Sequence, residues 1–308
     1  MQNTQSITAT DEMGGKSGAA ERIAVSVVVP AFNEETLIGT QIESIQHVMR
    51  SSGHAVEIIV VDDGSTDRTA TEVERRGVRL VRLPRNRGYG AALKAGIAAA
   101  ANEWVVIIDA DGTYPAEAIP AMLANATDYD MVVGARVGKN VHVPLARQPA
   151  KWFLQRLASY LVQQPIPDLN SGLRVMRKSL VERFQHLLPS GFSFTTTITL
   201  ALLSNDFRVH YHPIEYRRRG GQSKIRPAHA YEFLLLILRT IVYFNPLRVF
   251  LPLGALPFFL GFGKLIYDIA QKNITDSAVM GILTGIILWA VGLLADQISR
   301  VSMAARPK

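Results

Sequence analysis

Four apolar runs in the first half of the chain each stop at a polar cluster. Residues 23–29 run into Pro30-Ala-Phe-Asn-Glu34, 56–61 into Asp62-Asp-Gly-Ser-Thr-Asp67, 104–108 into Asp109-Ala-Asp-Gly112, and 131–133 into Gly134-Ala-Arg136. Short runs of β-branched and aliphatic residues bounded by turn formers read as strands buried on both faces. Between them the pattern turns helical. Leu37, Ile38, Ile42, Ile45 and Val48 share one face of a helix predicted over 34–50, and Ser65 or Thr66 is placed to cap a second helix reaching Arg76. A further strand at 78–83, a helix opened by Gly88-Tyr-Gly90 and a short helix over 115–125 complete the alternation. Strand, helix, strand, helix specifies an α/β domain with a mostly parallel sheet.

In such a sheet the C-terminal strand ends line one crevice, where ligands bind. The polar clusters Asn33/Glu34, Asp62/Asp63, Asp109/Asp111 and Arg136 all fall there. An isolated Asp-Ala-Asp-Gly is most simply a solvated turn. With the other clusters converging on it, the pair Asp109 and Asp111 becomes a candidate holder of a hard divalent cation against ligand phosphates.

Two phosphate-loop look-alikes fail on context. Gly14-Gly-Lys-Ser17 lacks both the first glycine, which would fall at Thr10, and a preceding strand. Gly88-Tyr-Gly90 has Leu93 in place of a third glycine and follows the third strand rather than the first, so its small residues read as tight helix–sheet packing. The absence of cysteine excludes disulfides, a thiol nucleophile and Cys-based zinc sites, and a net charge of +7 favours an anionic partner. His210 and His212 alternate on a predicted strand and read as structural.

Taken together, Pro30-Ala-Phe-Asn-Glu34, Val61-Asp-Asp-Gly-Ser-Thr-Asp67, Asn86-x-Gly88-x-Gly90, Asp109-Ala-Asp-Gly112, Gly134-Ala-Arg136, Asp168-Leu-Asn-Ser-Gly-Leu-Arg174 and Arg218-x-x-Gly221-x-Ser223-Lys224 resemble the family 2 nucleotide-diphospho-sugar glycosyltransferases of GT-A fold. The order and spacing are most similar to the dolichyl- or polyprenyl-phosphate sugar synthase branch. The resemblance implies that Pro30, Phe32, Glu34 and Asp62 cradle the nucleobase and ribose, with Asp63, Lys94 and Ala110 in the same donor-binding set. It also implies that Asp109 and Asp111 meet the diphosphate and a Mg2+ or Mn2+ ion.

The second half of the domain reads as an acceptor platform. Arg147, Lys151 and Arg156 lie on a helix predicted over 145–162, where Arg147 and Lys151 share a face; a solvated basic face is the plain alternative. Ser171 and Arg174, in the polar loop 168–174, join Arg147 and Lys151 as candidate contacts to an acceptor phosphate. Arg217, Arg218, Arg219 and Lys224, interrupted by Gly220 and Gly221, form a basic loop suited to closing over phosphates. No stacking aromatic array accompanies it, which argues against nucleic acid.

Many members of the resembled family that glycosylate hydroxyls carry an acidic general base in the region that reads Phe192-Ser-Phe-Thr-Thr-Thr-Ile198 here. A hydroxyl must lose a proton as it attacks, whereas a phosphate monoester is already anionic near neutrality. The threonines therefore favour a lipid-phosphate acceptor, with Asp168 kept as a candidate base or orienter. Arg136, Arg218 and Lys224 are the candidates for stabilising the departing diphosphate.

After Glu232 the chain becomes strongly apolar. Residues 233–244, ending at Asn245-Pro246, suit a helix at the membrane interface. Two runs, about 247–270 and 277–296, are each long enough to cross a bilayer and form a hairpin. Arg239, Arg248, Arg300, Arg306 and Lys308 flank the hairpin against Lys272 in its turn, which places the catalytic domain and C-terminus in the cytoplasm. Asn273-Ile-Thr275 is a glycosylation sequon in too short a turn to serve as an acceptor. The expected organisation is a disordered tail at 1–22, a catalytic domain at 23–231 and a membrane segment at 232–308.

These features predict an inverting enzyme moving one sugar from a UDP- or GDP-linked donor to a polyprenyl phosphate, with homo-oligomers an open possibility. The rivals are a processive polysaccharide synthase, for which Gln155-Arg156 does not supply the Gln-x-x-Arg-Trp motif, and a non-catalytic membrane scaffold. A nicotinamide-dependent dehydrogenase lacks the first-strand glycines.

Overall fold

A computed structural model describes residues 23–136, 148–191, 193–217 and 229–304, with the backbone alone at 148–151, 154, 229–233 and 302–304. The tail at 1–22, Phe192, Arg147, Arg218 and Lys224 lie outside the described residues, as does the Lys151 side chain.

The apolar runs become the strands β1 (Val25–Ala31), β2 (Val56–Asp62), β3 (Arg79–Arg82), β4 (Trp104–Ile107) and β5 (Met131–Arg136). With β6 (Arg174–Arg177) and β7 (Val209–Ile214) they make a seven-stranded sheet in the order β3-β2-β1-β4-β6-β5-β7. Only β6 runs against its neighbours, pairing antiparallel with β4 and β5. β1 continues through Pro30, beyond the residue at which the run was expected to close. Its pairing with β4 ends at Val28 and Ile107, so the missing Pro30 N–H faces no β4 partner.

The helices α1 (Ile38–Ser52), α2 (Thr69–Glu74), α3 (Tyr89–Ala99) and α4 (Ile119–Ala124) connect these strands, with a 3-10 turn at Ala116–Ala118 before α4. α1 starts later than expected because residues 33–35 are drawn off to the β2–α2 loop. The expected cap also changes. Ser65 and Thr66 bond Asn33 instead, and Asp67 Oδ1 takes the Thr69 N–H (3.0 Å) and O–H (2.5 Å). The reading of small residues on α3 as packing residues holds at Gly96, where a Cβ would sit 2.4 Å from Val28 Cγ1. Two cores flank the sheet, one under α1 around Ile42 and Ile45, the other under α3 around Leu93, Ile97, Phe184 and Ile198.

The later helices are α5 (Gln148–Val162), α6 (Lys178–Phe184), α7 (Phe194–Leu203), α8 (His229–Phe244), α9 (Leu247–Ala270) and α10 (Asp276–Ala304). α9 and α10, 24 and 29 residues long, are apolar enough to cross a membrane and pack as an antiparallel pair. Their backbones meet closely at Gly261 and Gly281: a Cβ on Gly281 would stand 2.9 Å from Gly261 Cα. Trp289 Nε1 donates to Leu251 O across the pair at 3.0 Å. Asp268 at the end of α9 accepts from the Thr275 N–H (3.0 Å) and from Lys264, which ties the turn back onto its helix.

Candidate active site

The strand-end loops are laced together into one rigid floor. Asn33 N–H donates to Ser65 Oγ at 3.0 Å, and its Oδ1 accepts the Thr66 N–H at 2.9 Å. Glu34 N–H donates to Thr69 Oγ1, and Glu35 N–H to Asp67 Oδ2. Asn33 takes a left-handed φ of 55°, which asparagine tolerates and which turns the chain sharply out of β1. Burial pushes the Asp67 carboxyl up, but the bonds it accepts from Thr69 and Glu35 outweigh this and hold it below its ordinary value.

Asp62 closes β2 and Asp63 follows it, both almost wholly buried. Their duties differ. Asp63 accepts the Arg87 and Gly88 N–H groups, each at 2.8 Å, and so shapes the loop leading into α3. Asp62 Oδ1 accepts the Ser65 N–H at 2.9 Å, while Oδ2 is buried without a hydrogen bond, 3.6 Å from Arg82 Nε. With only that long ion pair, the buried oxygen keeps an unfilled hydrogen-bond position that a ligand donor could complete.

Asp109 and Asp111 flank the buried Ala110 where β4 ends, and both are half-buried. Tyr89 O–H donates to Asp109 Oδ1 at 2.8 Å. Burial and the Asp109 charge hold the Tyr89 phenol well above its ordinary value, so it stays a proton donor. Asp111 Oδ1 accepts the N–H (3.1 Å) and O–H (2.6 Å) of Thr113, which pins the turn. Beyond Asp109 lies Gly172: a Cβ there would fall 2.5 Å from Asp109 Oδ2, so the 168–172 loop reaches the carboxylate only because that residue has no side chain.

That loop is itself held from three sides. Gly172 N–H donates to Tyr114 Oη at 2.7 Å, Ser171 Oγ to Gly134 O at 2.5 Å, and Thr196 Oγ1 to Asn170 Oδ1 at 2.6 Å. Arg136, leaving β5, grips Asp168 with Nε at 2.7 Å and Nη2 at 2.8 Å, and its backbone N–H adds a third bond at 3.1 Å. The Arg136 guanidinium also lies over the Tyr216 ring, 5.3 Å from its centre, and Tyr216 meets Tyr114 edge-on at 5.1 Å. Burial pushes the Asp168 carboxyl up, yet Arg136 more than compensates and holds it below the usual carboxylate range. A carboxylate so held is a poor proton acceptor, so Asp168 orients Arg136 and does not fit a general base.

Other expected positions fare differently. Arg174 is fully buried, its guanidinium spent on Ser171 O, Leu169 O and Thr199 Oγ1, and Ser171 is equally buried. Both brace the loop from beneath, which corrects their expected place among the acceptor-phosphate contacts. Lys94 is half-buried and donates to Leu188 O at 3.0 Å, with burial lowering its pKa. Pro30 is buried in β1, while Phe32 and Glu34 are half-buried at its end. Arg156 stacks 5.9 Å from the Trp152 ring on α5, whose outer face is aromatic: Trp152, Phe153 and Tyr160 are all more than half exposed. On the described side chains of α5, Arg156 thus stands among exposed rings.

Two features serve the base question and the closing loop. The first turn of α7 carries Thr195, Thr196 and Thr197, all buried, with no carboxylate. Arg217 N–H donates to Thr113 O at 3.0 Å and its guanidinium pairs with Glu117 at 3.2 Å, which ties Arg217 to the turn that carries Asp111. Tyr89, Tyr114 and Tyr216 were not read from the sequence as site residues. Tyr89 sits inside the Gly88-x-Gly90 motif and Tyr114 three residues after Asp111, which were the available signals.

The donor set fits a hard divalent cation. Among the described residues no group of three His, Cys, Asp or Glu side chains converges to hold a metal, so Asp109 and Asp111 are candidates as a pair that leaves further positions to water and substrate. Two carboxylates suit Mg2+ or Mn2+, which keep waters and take remaining oxygens from substrate phosphates.

Comparison with known proteins agrees with this geometry. Residues 26–184 match the glycosyl transferase family 2 profile, and residues 245–301 match the GtrB C-terminal hairpin. The dolichyl-phosphate hexose transferase of Haloferax volcanii is 32% identical over 66% of this chain and 87% of its own. The dodecaprenyl-phosphate galacturonate synthase of Rhizobium johnstonii is 27% identical over 95% of this chain and 93% of its own. Among solved structures, glucosyl-3-phosphoglycerate synthase of Mycobacterium tuberculosis, crystallised with Mn2+, UDP-glucose and phosphoglyceric acid, superposes with a TM-score of 0.58 at 22% identity, over 71% of this chain and 80% of its own. That likeness is one of fold. With a GT-A-like sheet, the strand-end acids in place and the family profile spanning half its length, the chain belongs to glycosyl transferase family 2.

Proposed function

We propose that this protein transfers a single sugar from a nucleoside-diphosphate donor to a polyprenyl phosphate, inverting the anomeric centre. The observation that carries this reading is the start of α7, where Thr195, Thr196 and Thr197 stand beside the 168–172 loop in the place of a carboxylate base. An acceptor that arrives already ionised needs no such base. The names of the relatives, polyprenyl- and dolichyl-phosphate sugar transferases, support the same acceptor.

The donor's base and ribose would lie over the floor formed by residues 30–34 and 62–67, where a ligand N–H or O–H would supply the hydrogen bond that Asp62 Oδ2 lacks. Asp109 and Asp111 would hold Mg2+ or Mn2+, which when bound supplies Lewis-acid stabilisation of the leaving diphosphate. Tyr89 and Gly172 fix the Asp109 carboxylate. Arg136, matched in charge by Asp168, acts as a positioning residue, so phosphate closure falls to Arg218 and Lys224 of the basic loop. The attacking phosphate oxygen forms the new bond to the anomeric carbon as the bond to the diphosphate breaks. The flanking arginines favour a hairpin in the cell membrane with the sheet domain on the cytoplasmic side.

The test is a panel of UDP- and GDP-sugars with a short polyprenyl phosphate, read by the mass of the extracted lipid. One donor should raise that mass by one sugar residue. A ladder of masses would establish a polymerase, and no lipid product from any donor would overturn the proposal.

A further inference from the structure

α8 and the C-terminal end of α10 part over the 186–189 loop and leave a cleft of about 640 Å³. Its walls are apolar at Leu236, Ala295 and Ile298, and Arg239 reaches into it from α8. Arg239 is exposed and, among the described residues, has neither hydrogen bond nor ion pair. The carboxylate on this end of α10, Asp296, is already engaged by Arg300 at 2.7 Å. Ser299 Oγ donates to Tyr243 O, so α10 is fastened to α8 and the cleft has a fixed floor.

The level of this cleft follows from the helix. The uncharged stretch of α10 ends at Ala295, and the charged residues Asp296 and Arg300 come next. With the hairpin in a bilayer, residues 295–299 stand at the depth of the lipid headgroups, and exposed apolar side chains before them on α10, such as Leu294, continue toward the acyl region. An unmatched guanidinium beside an apolar wall is complementary to a phosphate ester carrying a hydrocarbon chain.

We propose that this cleft binds one anionic phospholipid, its phosphate on Arg239 and its glycerol and first acyl methylenes against Leu236, Ala295 and Ile298. The site is separate from the donor floor but close in connectivity. The 186–189 loop is held to α3 by Lys94 on Leu188 O, and Ser190 next to it by Ala91 N–H on its carbonyl, each at 3.0 Å, and α3 begins with Tyr89. The proposal rests on the membrane placement of the hairpin and not on the sugar-transfer reading.

Native mass spectrometry of the full chain, stripped of lipid in detergent and titrated with phosphatidylglycerol, phosphatidylcholine or a short polyprenyl phosphate, tests it. Wild type should retain one phosphatidylglycerol in preference to phosphatidylcholine. Arg239→Gln should bind it roughly tenfold more weakly, the weight of one charge-assisted contact. Lys272→Gln, in the turn at the other end of the hairpin, should bind like wild type. Equal phosphatidylglycerol affinity in wild type and Arg239→Gln, or no preference over phosphatidylcholine, would overturn the proposal. So would Arg239-dependent retention of polyprenyl phosphate alone, which would make the cleft part of the acceptor path.

Discussion

Asp111→Asn is expected to lower sugar transfer on the order of 10²–10³-fold while leaving the protein folded, because it removes a charge from the corner to which the proposed chemistry assigns the departing diphosphate. The substitution is well matched in shape. Asp111 Oδ1 accepts the Thr113 N–H and O–H, and an asparagine carbonyl can accept the same two bonds. Turnover of purified wild type and variant at saturating Mg2+, with thermal unfolding as the folding control, measures the effect. Chelation should abolish the wild-type rate, and Mg2+ or Mn2+ should restore it. Wild-type turnover in the variant would remove Asp111 from the metal corner.

The second large effect is on stability. Asp168→Asn leaves Arg136, half-buried against Tyr216, without its counter-charge, and breaking such a pair from one side costs about 3 kcal/mol. For a domain of this size that corresponds to a fall in Tm of roughly 6–12 °C. The pH dependence carries the sign. Arg136 holds the Asp168 carboxyl below its unfolded value although burial alone would raise it. Its contribution is therefore fully present above an unfolded pKa of about 3.9 and is lost as pH falls through the folded value. The Tm gap between wild type and variant should persist from neutral pH down to about 5 and narrow below about 4. Scanning fluorimetry across that range checks it, and a gap that widened on acidification would contradict the ion-pair origin.

How legible these features were depends on whether the forces were local. β1, β2, β4 and β5 announce themselves because a strand buried on both faces must be continuously apolar, and their polar ends mark the crevice. β6 did not, being four residues long with an arginine at each end. Arg174 illustrates the reason: an arginine in a polar loop reads as an anion contact, yet carbonyl groups at 169 and 171 and Thr199 Oγ1 satisfy it inside the core. The Asp168–Arg136 pair spans 32 residues, and no local pattern encodes it. Ser65 and Thr66 likewise satisfy the capping pattern locally but are claimed by Asn33 from another loop. The acids at 109 and 111 were readable; that Tyr89 and Gly172 hold one of them was not, since both contacts depend on how α3 and the 168–172 loop pack over β4.

The absence of a carboxylate at the start of α7 makes the acceptor the point on which the proposed chemistry turns. The most direct measurement offers the enzyme a polyprenyl phosphate and the corresponding polyprenol side by side with its preferred donor. Glycosylated product should form from the phosphate alone, at a rate that falls as the pH drops through the second ionisation of the phosphate, near pH 6. Comparable product from the alcohol would show that the protein supplies a base after all and would contradict a lipid phosphate as the natural nucleophile.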